Sequence, residues 1–244
     1  MESSGSARQI KDRKHTFGKF QESAWKCFAY TCLTLASWWA LRRETYWHDT
    51  HEFYTECSRI PCEYRATEAM NFAYALDMAY YTYAIPYCIL FEEKREDFWA
   101  TFAHHVVTVA LIAYSYVLGF TKVGVVILFL HDICDPWLEL AKLFRYGGVE
   151  WAANALFVVF TVTWIAMRDV YYPLWVIRSV LYDAYDMVVG AAGATRQSFP
   201  HWETLSAMLI FLWVLHVFWT YVILKIAVQA VRQGSVDDTR EKRE

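Results

Sequence analysis

The sequence predicts an all-α membrane protein with six transmembrane helices. Three observations predict it. The apolar residues gather in six blocks, most of them near the roughly 17–25 residues that cross a bilayer. The chain is 57% hydrophobic and only 20% charged, with a mean hydropathy of +0.15. Its 12 Trp and 17 Tyr are numerous enough to form ring belts at a membrane interface. The same composition excludes a disordered chain, which lacks apolar residues. Nine Gly and six Cys spread over 244 residues exclude a collagen-like or disulfide-dense scaffold. A formal net charge of −3 gives no footprint for nucleic acid. A soluble all-α protein is the competing class, and the block lengths argue against it.

Residues 1–15 read as a polar N-terminal arm, and the frayed stretch extends to about Phe20. The first 24 residues are polar and basic, so the first span, rather than a cleavable leader, is the expected insertion signal. The blocks are Trp25–Leu41, Ala69–Phe91, Phe98–Gly119, Val123–Phe144, Trp151 to about Tyr185, and Glu203–Val231. Arg42–Glu68 is a mixed loop holding Pro61, Cys57 and Cys62. Those two cysteines could pair, but two unpaired loop thiols are the expected state. Glu92–Asp97 is a tight charged turn, and Thr121–Lys122 a second short one. Gly147–Gly148 mark a helix stop. Pro173 should kink or split the fifth block. Gly190–Pro200 is a small-residue loop, and residues 233–244 form a charged tail.

Basic residues set the orientation. With six spans, one side collects Arg8, Lys11, Arg13, Lys14, Lys19, Lys94, Arg95, Lys142, Arg145, Arg232, Arg240, Lys242 and Arg243. The other collects Arg42, Arg43, Arg59, Arg65, Lys122, Arg178 and Arg196. Thirteen against seven places both termini in the cytosol.

Ionisable groups at mid-membrane cost about 2.5–3.5 kcal/mol each and mark function. Here they concentrate in two adjacent spans. His104 and Thr108 share a helix face, and His105 is turned about 100° away. In the next span His131, Asp135, Glu139 and Lys142 follow one stripe, bordered by Asp132. A short turn makes the spans antiparallel neighbours, so three histidines and two aspartates are expected in one buried cluster. Lys94, Arg95, Lys142 and Arg145 form a basic rim suited to a phosphorylated substrate, or else ordinary positive-inside flanking. A histidine held by an aspartate acts as general base or nucleophile. GxSxG and GxxxxGK[ST] are absent. A metal site built from three His and two Asp, or a purely structural polar cluster, stays open at this point.

KREDF, HHVVTVALIAYSY and VGVVILFLHDICDPWLELAK resemble the Lag motif of ceramide synthases, within the TLC domain family. KFQESAWK at Lys19–Lys26, RDVYYP at Arg168–Pro173, LHVFW at Leu215–Trp219 and the tail with Asp237–Asp238 resemble further family signatures. The resemblance covers the chain from about residue 16 and is strongest to plant-type members. It implies a TLC-type bundle of six helices around a central tunnel, with the domain spanning residues 16–232. It implies an endoplasmic-reticulum membrane enzyme that joins the acyl group of a fatty acyl-CoA to a sphingoid base. Acyl-CoA would be a co-substrate, with no cofactor and no metal. A homo- or heterodimer is compatible with it.

Carried over by motif, the expected catalytic residues are His104, His105, Asp132, Asp135 and His131. His104, oriented by Asp135, would carry the acyl group as an acyl-imidazole; direct transfer is the rival route. The competing function is a non-catalytic TLC-domain protein that binds lipid or assists translocation, or another enzyme using the same His–Asp chemistry. His216 reads as a core histidine, while Arg168 and Asp77 are intramembrane charges without an assigned role. Ile133 and Cys134 stand where smaller residues are expected, and Pro136 should bend the helix beside the site. Family members commonly carry one more helix upstream of the shared domain.

Overall fold

The computed structural model describes residues 2–47, 49–57, 60–91, 95–190 and 200–233. The expectations placed on Arg59, Lys94, Arg196, most of the loop before Pro200 and the tail after Gln233 lie outside the described residues. Among the described residues every regular element is helical. The order is α1 (Glu2–Leu41), a short 3₁₀ turn (Thr50–Phe53), α2 (Glu68–Leu90), α3 (Phe98–Leu118), α4 (Thr121–Asp132), α5 (Asp135–Tyr146), α6 (Glu150–Trp164) and α7 (Pro200–Gln233). Wide π turns over Ile165–Ile177, Ser179–Asp183 and Tyr185–Gly190 continue α6 in the same direction.

Three of these helical stretches are long and apolar enough to cross a membrane: Phe98–Leu118, Glu150–Val188 and Trp202–Ala230. Only 17–28% of their apolar windows is buried inside the protein. Trp99, Trp151, Val162, Leu174, Tyr221 and Val228 point outward. Exposed apolar surface on this scale belongs against lipid.

Four expectations about the helices change. The polar arm is helical: residues from Glu2 onward belong to α1. No proline interrupts that stretch, and isolated glycines cost only ~1 kcal/mol each in a helix. The fourth block is two helices. Pro136 has no N–H to give the preceding turn, so α4 ends at Asp132 and α5 begins at Asp135. The short turn before α4 falls at Gly119–Phe120, two residues early. Gly119 closes α3 with φ 81°, and Phe120 N–H donates to the Ser115 carbonyl at 2.8 Å. Pro173 does not split the fifth block, because the π turns carry the chain past it.

Two boundaries fall within a residue of the reading. The Thr67 hydroxyl accepts from Met70 N–H to start α2. Gly147 and Gly148, the latter at φ 77°, stop α5.

The core packs α1 against α2, α4 and α5, α2 against α3, and α7 against α3 and the π segment. One end is closed by the loop between α1 and α2. Cys57 and Cys62 are joined there as a disulfide, contrary to the expected free thiols. The loop folds back on itself, with Glu63 N–H donating to the Glu56 carbonyl at 3.1 Å beside the two sulfurs, and Cys62 N–H donates to the Leu118 carbonyl at 3.0 Å. Lys122 donates to the Thr55 hydroxyl at 2.7 Å and lies over the Tyr64 ring at 4.2 Å, so the same loop covers it.

Candidate active site

Three histidines from three helices meet in one layer. His104 of α3 stacks on His131 of α4 with ring centroids 6.3 Å apart. His216 of α7 lies 4.8 Å from His131 and 6.5 Å from His104. His105 stands 5.8 Å from His104. Trp219, Tyr172 and Tyr81 set edges against the layer. His131 Nδ1–H donates to the Ile127 carbonyl at 2.7 Å, which fixes the tautomer and leaves Nε2 bare. His104 Nδ1 is sealed without a hydrogen-bond partner, so Nε2 is the nitrogen open to the cavity that His104 lines.

The two aspartates part company. Asp132, fully buried at the end of α4, accepts from the Tyr81 hydroxyl at 3.2 Å and lies against Asp77 of α2. Asp135, at the start of α5, is held by Arg168 of the π segment, whose guanidinium Nη2 reaches both carboxylate oxygens at 3.1 Å. The same nitrogen donates to the His131 backbone carbonyl. Arg168 also lies over the Trp164 ring at 4.1 Å. The expected hydrogen bond between His104 and Asp135 is not made. The helix break at Ile133–Cys134 interrupts the stripe and faces Asp135 toward Arg168 instead.

Two cavities meet at the histidine layer, and Tyr81 lines both. The polar one, about 1090 Å³, is lined by His104, His105, Asp135, Glu139, Lys142, Arg95, Lys26 and Arg168. The apolar one, about 810 Å³, begins at His131 and Asp132 and runs between α2, α3, α4 and α7 past Ile127, Leu111, Leu209 and Leu212. Of the expected basic rim, Arg95 and Lys142 line the polar cavity, and Lys94 lies outside the described residues. Arg145 lines neither cavity, since three residues carry it a turn beyond Lys142. Lys142 is paired with Glu139 at 2.6 Å.

Sequence reasoning did not anticipate Lys26 of α1 in this wall, or the central place of Arg168, Tyr81 and His216. Arg168 and His216 had a visible signal, a charge or imidazole inside an apolar run. Tyr81 had none, being one tyrosine among several. Among the described residues no group of three or more His, Cys, Asp or Glu is placed to hold a metal ion.

The TLC domain matches residues 19–225, a stretch that contains every residue of this layer. The chain belongs to the TLC domain family. It is similar to ceramide synthase LOH1 of Arabidopsis thaliana, 33% identical over 238 residues, covering 94% of this chain and 75% of the relative. It is 31% identical to ASC1-like protein 1 of Oryza sativa subsp. japonica, over 93% of this chain and 74% of that one. Ceramide synthase hyl-2 of Caenorhabditis elegans is 32% identical over 94% of this chain and 69% of its own. Within the TLC domain family the chain therefore stands with the ceramide synthases, plant-type members among them.

Proposed function

We propose that this chain is a ceramide synthase, an endoplasmic-reticulum membrane enzyme that moves a fatty acyl group from acyl-CoA to the amine of a sphingoid base. The observation that carries this reading is the histidine layer set between two unlike cavities. A charged, water-soluble thioester and a lipid tail need such opposite surroundings on either side of one reacting carbon. The likeness to named ceramide synthases supports it.

In this reading six spans cross the bilayer: α1, α2, α3, α4 with α5, α6 with its π continuation, and α7. Both termini are cytosolic, in line with the excess of basic residues on that side. α2 and the α4–α5 pair lose hydropathy to inward groups such as Asp77 and Glu139, both buried. The two cavities are the cytosolic and lumenal sections of one tunnel. The phosphates of CoA lie at Lys26, Arg95 and Lys142, and the acyl tail fills the apolar section.

His104 Nε2 attacks the thioester carbonyl carbon. The C–S bond breaks, CoA leaves as the thiolate, and the ring keeps its Nδ1 proton as an acyl-imidazolium. The neutral amine of the sphingoid base then attacks the acyl carbon, and the imidazole leaves with the amine's proton. Asp135, fixed by Arg168 in the same cavity, offsets the positive charge that develops on the ring. His131 and Asp132, with Tyr81, line the far side of the reacting carbon. His105 borders the CoA side. Every step uses the chain's own residues and the two substrates, with no cofactor or metal.

The test is sphinganine N-acylation by membranes carrying the chain. His104→Ala and Asp135→Ala should each lower the rate by about 10²–10⁴-fold. Activity surviving both substitutions would remove the site assignment. Labelled acyl-CoA offered alone should leave label on His104; an active preparation that never retains it would favour direct transfer.

A further inference from the structure

The apolar cavity has a depth scale written along α4. His131, Ile127, Gly124 and Phe120 line it in turn. Gly124 lies seven residues below His131, about 10 Å down the helix. Phe120 lies eleven residues below, about 16 Å. The bottom is aromatic: Tyr54 packs against Phe120 with ring centroids 6.4 Å apart, and Trp202 completes the floor.

Midway, three helices converge on one ring. Tyr74 of α2 is buried and shares a hydrogen bond with Ser115 of α3, its hydroxyl 3.1 Å from Oγ. Its hydroxyl occupies the space that a side chain on Gly124 of α4 would need. A Cβ built there would stand 1.5 Å from that oxygen and 2.8 Å from the ring carbon bearing it. The glycine is therefore a socket that keeps the ring drawn back into the wall. With the ring seated, the cavity stays open past this level to the floor.

We propose that Tyr74, seated on Gly124, is a specificity-determining residue that sets how long an acyl chain the cavity accepts. This deepens the reading above and rests on it, since it takes the acyl tail as the occupant. Filling the socket drives the ring off its seat and into the cavity that it lines. The chain is then stopped about 10 Å below His131 rather than near the floor. Shortening the ring widens the wall at that depth and leaves the floor where it is.

The experiment measures kcat/KM for a series of saturated acyl-CoA substrates, rising by two carbons from medium to very long chains, with sphinganine as acceptor. Gly124→Ala should shift the preferred length downward, with a loss of about tenfold for each two methylenes that no longer find a seat. Tyr74→Leu removes the phenol without moving the floor and should keep the wild-type preferred length. Gly124→Ala/Tyr74→Leu should return toward the wild-type profile, because the new methyl fills the space that the phenol left. If Gly124→Ala fails to accumulate, Tyr74→Trp, whose larger ring overfills the same socket, should give the same downward shift and decides in its place. An unshifted length profile in active Gly124→Ala or Tyr74→Trp protein would overturn the assignment. No product from the wild-type chain at any length would overturn the activity, and this assignment with it.

Discussion

Arg168 holds Asp135 from a segment 33 residues further along the chain, with Nη2 3.1 Å from each carboxylate oxygen. The pair joins the start of α5 to the π turns that follow α6, and it sits beside the histidine layer. Both side chains are largely removed from water, so each is costly without the other.

Breaking that pair has a defined cost. Arg168→Leu should destabilise the folded protein by about 3–5 kcal/mol, because the Asp135 carboxylate is left buried without its partner. Arg168→Leu/Asp135→Leu should regain much of that stability and none of the acyl transfer. Thermal unfolding in detergent, read beside the N-acylation rate, separates the two effects.

Tyr81 reaches both cavities and donates to Asp132 at 3.2 Å. Tyr81→Phe keeps the ring and removes only the donor. A hydrogen bond of this kind to a charged group is worth about 1.5–3 kcal/mol, so kcat should fall on the order of tenfold or more if the bond serves the transition state. Unchanged kcat with lowered stability would assign the bond to structure alone.

The Cys57–Cys62 disulfide leaves four free cysteines, Cys27, Cys32, Cys88 and Cys134. Alkylation of the unfolded, unreduced protein should therefore modify four cysteines and spare two. Cys57→Ser/Cys62→Ser should cost about 2 kcal/mol, the smaller end of the range, because the closed loop is short. Unfolding in the presence and absence of reductant checks it.

Much of the fold was legible because membrane crossing is a property of composition and length. The blocks around α3, α6 and α7 appear where the apolar runs lie, and the Gly147–Gly148 stop appears where glycine ends the run. That the histidines would gather inside the bundle was legible as well, since polar groups inside an apolar run are costly and turn away from lipid. The break at Ile133–Cys134 was half legible. Pro136 announced a disturbance, but not that Asp132 and Asp135 would end up in different cavities.

By itself the sequence determined the helical class, the apolar stretches and the identity of the polar residues buried among them. Those follow from local chemistry: side-chain hydropathy, helical spacing and the missing N–H of proline. Only the tertiary structure decided the partners. Arg168 against Asp135, Tyr81 against Asp132 and Tyr74 in the socket of Gly124 each join helices remote in the chain. Such pairings are set by which helices pack together and how far each is rotated, and no local pattern encodes either.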